Sequence, residues 1–376
     1  MWIAGLKRRS TGRAAALLGT VLALGCGRGA EVKGGEIAIG VALNPQRPGM
    51  HTVYRGVEIA VAQLNAERGG KGSAIVMRKG PEKLTGAVQI AALMRDDPSV
   101  VAVVGHPESG TTLDAAAVYA DLEHGGARAL VAVSPTGTSP ALSGRSEWIF
   151  RVCPSDLAAS EAAARYVLDS LKARRASVIY RNDAYGKDWT REFARIFTAA
   201  GGQVVQRDPY LAGVTEWAAY AGYIRRLNPD VLLFPGGSED AEPFIAALRA
   251  EGVRMPFLGG DAVAPLAKKP SEYRGVKFTS FFVPERASTP EARAFVETYR
   301  QRYNEMPDPR AALSYDAALL IGRAILEVGP DRRKIRDYIA EVGSKRPALK
   351  GATGPIAFNA KHDVINKPVV IATVGQ

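Results

Sequence analysis

After residue 35 the chain alternates short apolar runs with amphipathic stretches. Residues 36–43 (EIAIGVAL) are apolar enough for a buried strand. From about Thr52, Val57, Ala60, Val61 and Leu64 fall at i, i+3, i+4 and i+7, the spacing of one helix face. That helix should stop before Gly69-Gly70. The pattern then predicts a strand at 73–78, a helix at 82–95, a strand at 100–105 (VVAVVG), a helix over 109–123 and a strand over 129–133. A second batch begins with a helix at 156–171 and a strand at 177–180. It continues with a helix at 185–199, a strand at 203–207, a helix at 217–226, a strand at 230–234 and a helix at 239–251. Helices near 289–303, 311–328 and 333–341 precede two late strands at 355–359 and 368–374. Continuous apolar strands set between helices are parallel strands covered on both faces. Two successive batches predict an α/β fold of two doubly wound, Rossmann-like lobes.

The first 35 residues break this alternation. Lys7, Arg8, Arg9 and Arg13 precede the apolar stretch 14–24, which is shorter than the roughly 20 residues a membrane span needs and has signal-peptide proportions. Gly25-Cys26 resembles a bacterial lipobox, although Ala23 stands where leucine is usual. Cleavage there would leave Cys26 to carry lipid, with the Gly-rich stretch 26–35 as a tether. A plain secretory cut near Gly25, or an uncleaved anchor, is the other reading. The charge picture changes accordingly: 49 basic and 38 acidic residues give +11, and residues 1–25 contribute four cations and no anion, leaving 11 − 4 = +7. The remaining basic runs, 172–175 and 332–334, lie beside helical patterns without interleaved aromatics, which excludes a nucleic-acid partner. Two cysteines and four histidines without metal-ligand spacing exclude a disulfide framework and predict no metal and no cofactor. Cys153, between Val152 and Pro154, reads as a small buried hydrophobe.

Ligands of open α/β sheets bind beyond the carboxyl ends of the strands, so the chemistry is read there. Residues 105–112 (GHPESGTT) place Ser109 at a helix start, where free N–H groups and the positive helix end suit a carboxylate. The turn 134–138 (SPTGT) adds Thr136, Gly137 and Thr138. The second batch offers Tyr185 in 181–186 (RNDAYG), Ser238 after Gly236-Gly237, and Asp261 after Gly259-Gly260. Each residue alone is also what ordinary caps and Asx turns use. Together, an anion cradle opposite a carboxylate is what an α-amino acid zwitterion needs, because burying either charge unpaired is costly.

The chain resembles the Leu/Ile/Val-binding-protein type of periplasmic binding protein, which serves branched-chain amino acid ABC importers. The resemblance covers about residues 36–376. It rests on 56–65 (GVEIAVAQLN) with Gly69-Gly70, Val104-Gly105-His106, Ser134-Pro135, Phe150-Arg151 with Pro154-Ser155-Asp156, Asp183 with Tyr185-Gly186, and Tyr315-Asp316-Ala317. It implies three hinge crossings, near 152–156, 283–288 and 349–354. One lobe would then combine 36–153 with 286–350, and the other 154–285 with 351–376. By the same resemblance Ser109 with Thr136, Gly137 and Thr138 would read the ligand carboxylate, Tyr185 would cover the ligand, and Asp261 would pair with its ammonium. Also implied are a monomer in the cell envelope, lipid-anchored to the membrane through Cys26, and an ABC permease as partner.

Two departures bear on specificity. The loop 44–52 is short, and Ser238 stands where a branched-chain binder places an aromatic. Arg47 and His51 would suit a polar or acidic side chain, or simply a solvated loop. A sensor of the same fold for amides, urea or aromatic acids is the competing function. Catalysis is not expected: no G-x-S-x-G, P-loop or G-x-G-x-x-G motif sits at a strand-to-helix turn, and His106, Glu108 and Ser109 lack an Asp–His pair to activate the serine.

Overall fold

The computed structural model describes residues 36–376; the expected signal segment, the tether and Cys26 lie outside them. The longest apolar runs became the innermost strands. β1 (Ile37–Ala42) is followed by α1 (His51–Arg68), β2 (Ile75–Lys79), α2 (Ala87–Asp96) and β3 (Val100–Gly105). Both β1 and β3 are buried along their whole length, as strands covered on two faces must be. α3 (Ser109–Tyr119), β4 (Ala132–Ser134) and β5 (Ile149–Arg151) complete the first unit, a parallel sheet in the order β2-β1-β3-β4-β5.

The second unit runs through α4 (Asp156–Arg165), β6 (Arg175–Arg181), α5 (Ala184–Ala199), β7 (Gln203–Tyr210) and α6 (Trp217–Leu227). It continues with β8 (Val231–Phe234), α7 (Ser238–Ala250), β9 (Phe257–Gly259), the single turn α8 (Pro270–Tyr273) and β10 (Lys277–Ser280). The chain then forms α9 (Pro290–Tyr303), α10 (Pro309–Val328) and α11 (Arg332–Glu341), the antiparallel pair β11 (Leu349–Gly351) and β12 (Gly354–Ile356), and finally β13 (Val370–Thr373). The second sheet has the order β13-β10-β9-β8-β6-β7, with only β13 antiparallel. Helices α9 and α10 return to pack on α1, and α11 on β3, while β13 joins the second sheet. This is the two-lobed, doubly wound architecture that the alternation predicts.

Several boundaries moved for local reasons. α2 begins at Ala87 rather than at 82, because residues 81–85 turn and Gly86 is the extended N-cap. The helix expected over 109–123 ends at Tyr119, since Asp121 adopts φ 51° and its carboxylate accepts the Arg128 N–H at 2.8 Å. β5, β10 and β11 were not expected: each is three or four residues long, and β10 (KFTS) carries a lysine and two hydroxyls. Thr279 and Ser280 are nevertheless fully buried in it.

A buried charge pair ties α10 to the β11–β12 turn and to the segment before β13. Asp316, fully buried, accepts the N–H groups of Ala352 (2.6 Å) and Thr353 (3.0 Å) between β11 and β12, and pairs with Lys367 Nζ at 3.3 Å. Burial pulls the Lys367 ammonium below its ordinary value while Asp316 pushes it back up. Between β5 and α4, Cys153 is fully buried, its Sγ 3.4 Å from the Gly137 carbonyl, and burial pushes its thiol up to about 12.

Candidate functional site between the lobes

The two sheets present their switch points to one cleft. In the first, β1 leads to β2 on one side and to β3 on the other; in the second, β6 leads to β7 and to β8. Open sheets split apart at such points and leave a crevice at the strand ends. The segments that follow β1, β3, β6 and β8 supply Arg47, Glu108, Asp183 and, from the first turn of α7, Glu239 to a single cavity of about 280 Å³. That size suits a metabolite rather than a peptide or a large cofactor.

The first-lobe wall is stitched from the two hydroxyl-rich turns. Ser134 Oγ donates to the His106 carbonyl at 2.6 Å, and Thr136 Oγ1 donates to the Pro107 carbonyl at 2.6 Å. Ser109 Oγ accepts the N–H groups of Thr138 and Ser139, both at 3.1 Å. Gly137 N–H is taken by Ser134 Oγ at 2.9 Å. From β5 the buried Arg151 donates Nη1 to the carbonyls of Thr138 (3.0 Å) and Ser139 (2.8 Å) and pairs with Asp363 at 2.7 Å. Ser109 and Thr136 line the cavity; Gly137 and Thr138 stand directly behind them. The Thr138 hydroxyl is buried without a partner among the described residues.

The second-lobe wall is acidic and aromatic. Tyr185 at the start of α5 donates its hydroxyl to Asp261 Oδ1 at 3.2 Å, and both line the cavity. Burial pushes the Asp261 carboxyl up to about 6. Asp156, the first residue of α4, is fully buried behind this pair. Neither of its oxygens makes a hydrogen bond of ordinary geometry, although the Thr138 hydroxyl acts on it. Burial, then the neighbouring Asp261, pushes its carboxyl well above the ordinary range. Asp261 is half-buried and Asp156 fully buried, and neither makes an ion pair among the described residues; two such neighbouring carboxyls are costly unless a positive group joins them.

The remaining wall is where sequence reasoning reached least far. Arg47, read as either a specificity residue or a solvated side chain, pairs with Glu108 and with Glu239. Arg181 pairs with Asp183 at 2.6 Å and with Glu239 at 3.1 Å. His51 is exposed at the start of α1 and is not part of the lining. Ser238 is buried as the first residue of α7, and its neighbours Gly237 and Glu239 take the cavity face instead. Asp156, quoted only among the residues of the family resemblance, and Arg310 were not expected at the site. An aspartate at a helix start reads as a solvated cap, and an arginine after Asp308-Pro309 reads as the first turn of a surface helix. His106 is buried against Tyr119, whose hydroxyl lies 3.1 Å from Nε2, and burial holds its imidazole at about 3. It is neutral and has no carboxylate partner, so it forms no dyad with Ser109.

A cleft between two doubly wound lobes, closed around a small polar cavity, defines a solute-binding protein. The chain belongs to the periplasmic binding protein family, whose model matches residues 45–376. Among relatives, an amino acid binding protein of Pseudomonas aeruginosa is 27% identical over 70% of this chain and 72% of its own. The Leu/Ile/Val-binding protein of Citrobacter freundii is 24% identical over 93% of both chains. Of solved structures, the branched-chain amino acid transporter substrate-binding protein of Streptococcus pneumoniae, in complex with isoleucine, superposes with a TM-score of 0.81 at 24% identity, covering 91% of this chain and 97% of that one. A leucine binding protein of Thermotoga maritima gives 0.79 at 25% identity, covering 90% and 95%. The chain is therefore a non-enzymatic solute-capturing protein of the Leu/Ile/Val-binding-protein type, and its family is periplasmic.

Proposed function

We propose that the protein captures an α-amino acid in the interlobe cavity and delivers it to an ABC importer. The observation that carries this reading is the pairing of opposites. The wall of Ser109 and Thr136 belongs to the same cavity as Asp261, and Asp156, whose oxygens have no hydrogen-bond partner, stands behind Asp261. In this reading the α-carboxylate meets Ser109 and the N–H groups of the 134–138 turn. Ser109 Oγ takes the Thr138 and Ser139 N–H groups on its lone pairs, which leaves its O–H to donate to the carboxylate. The ammonium meets Asp261, steadied by the Tyr185 hydroxyl, with Asp156 behind. Thr138 and Gly137 shape the cradle from behind, and Ser238 supports the start of α7. The lobes, 36–153 with 286–350 and 154–285 with 351–376, close about the three crossings, and a solute that touches both walls selects the closed form.

The same proposal places the protein in the cell envelope as a monomer, anchored to the membrane through lipid on Cys26. Replacement of Cys26 by alanine should release it from the membrane fraction.

The test of capture is a thermal-shift screen against the amino acids, with small amides, urea and carboxylates as controls. Ligand at about 100 times its Kd adds roughly 2.7 kcal/mol to the folded state, a shift of several degrees or less that is readily measured. Asp261→Ala should weaken the best amino acid by about a hundredfold or more, since an unpaired buried ammonium costs about 3–5 kcal/mol. Hits confined to amides or to simple carboxylates would retire the amino-acid reading.

A further inference from the structure

The charged groups of the cavity can be accounted for one by one. Arg47 is held by Glu108 and Glu239, and Arg181 by Asp183 and Glu239. Asp308 caps α10, accepting the Ala311 N–H at 2.9 Å, with Lys268 3.7 Å away. Asp114 is exposed at the rim. Asp261 and Asp156 are the acids left for an ammonium. One cation then remains: Arg310, in the first turn of α10, lines the cavity and makes no hydrogen bond or ion pair among the described residues.

Arg310 is half-buried. Arg310 Nη1 is shut off from solvent with no partner. Gly49, at φ +78°, lets the guanidinium in: a Cβ there would stand 2.8 Å from Nη1. Arg310 lies close enough to Glu239 and Asp261 to stabilise their charges, yet bonds to neither. Glu239 Oε1 already accepts from both Arg47 and Arg181. The apolar part of the same cavity's lining includes Met50, Phe281, Pro309 and Leu313.

We infer that the ligand is an acidic α-amino acid, and that Arg310 is the residue that reads its side-chain carboxylate. The inference rests on the amino-acid reading above and names the side chain that reading leaves open. With the α-carboxylate on the Ser109 wall and the ammonium on Asp261, the side chain is the part left to meet the Met50–Leu313 wall. One or two methylenes suit that apolar surface, and a carboxylate at their end meets a guanidinium that has no other partner. Arginine is suited to this because its planar fork binds a carboxylate through two parallel hydrogen bonds. An aliphatic side chain would instead seal the guanidinium away from water unpaired.

The experiment is titration calorimetry of the full chain with L-glutamate, L-aspartate, L-glutamine and L-leucine, repeated for Arg310→Ala and Arg310→Gln. A glutamine at 310 keeps the length and a hydrogen-bond donor but not the charge, so it guards against a folding defect in the alanine variant; melting temperatures of both are recorded. The wild type should bind glutamate or aspartate at least tenfold more tightly than glutamine or leucine. In both variants the acid-to-leucine affinity ratio should fall roughly ten- to hundredfold, the range of a charged hydrogen bond. Preference for leucine or for glutamine over the acids, or an unchanged ratio in both variants, overturns the Arg310 assignment and leaves amino-acid capture standing. Absence of binding by any amino acid overturns both.

Discussion

Arg47 Nη2 lies 2.9 Å from Glu239 Oε1, and the bond runs from the loop after β1 to the start of α7, from one sheet unit to the other. Few other side chains join the walls so directly: Ser139 donates to Asp188, and Lys268 faces Asp308. Both partners of the Arg47 bond are about a third exposed, so the bond is modest in energy. Its effect should be on the balance of open and closed forms. Arg47→Ala or Glu239→Gln should raise the ligand dissociation rate several-fold in stopped-flow measurements. A double-mutant cycle should return about 0.5–1 kcal/mol of coupling, and a coupling of zero would show that the pair does not hold the lobes together.

Binding should depend on pH through Asp261. Burial raises its carboxyl to about 6 in the free protein, and an ammonium ligand needs the carboxylate. Below pH 6 association must first expel a proton, so affinity should rise about tenfold between pH 5 and pH 7 and then level. For the ligand-free protein the sign is opposite. The raised value favours folding at pH below the ordinary carboxylate range, and that contribution is lost as pH rises through about 6. Calorimetry at pH 5.5 in buffers of different ionisation heat should detect proton release on binding; its absence would remove Asp261 from the ammonium site.

The Asp316–Lys367 pair should matter for stability. Asp316→Ala orphans the N–H groups of Ala352 and Thr353 and leaves a buried ammonium, so a loss of about 3–5 kcal/mol is expected. Lys367→Met should cost less, because Asp316 would keep its backbone donors and the Thr353 hydroxyl. Urea titrations of the two variants test that ranking.

Gly56 is where α1 and α10 touch most closely: a Cβ there would collide with the Ala311 carbonyl oxygen and come within 2.9 Å of Tyr315 N. Backbone cannot yield as a flexible side chain does. Gly56→Ala should therefore destabilise the protein by about 1–3 kcal/mol, read as a lowered Tm.

The fold was legible because its strands are long apolar runs: VVAVVG could be little other than a strand covered on both faces. β10 was not, since Thr279 and Ser280 pair with Ile371 and Val370 of β13, far along the chain, which no local pattern announces. The same split runs through the site. Ser109, Thr136, Tyr185 and Asp261 sit at strand ends, where topology alone directs attention, and all four line one cavity. Arg310 stands 201 residues further along than Ser109, on a helix that packs on α1. Asp156 carries the commonest of cap signatures, and only its full burial without a partner sets it apart.

Cys153 has one further consequence. Fully buried, with its thiol held at about 12, it presents almost no thiolate for attack at neutral pH. In a chain whose Cys26 has been replaced, maleimide reagents would pass over the native protein. A single cysteine introduced at the exposed Asp114, on the cavity rim, would then carry one environment-sensitive dye. Lobe closure could be followed by fluorescence with no further engineering of the core, which makes the protein a ready scaffold for an optical sensor of its own solute.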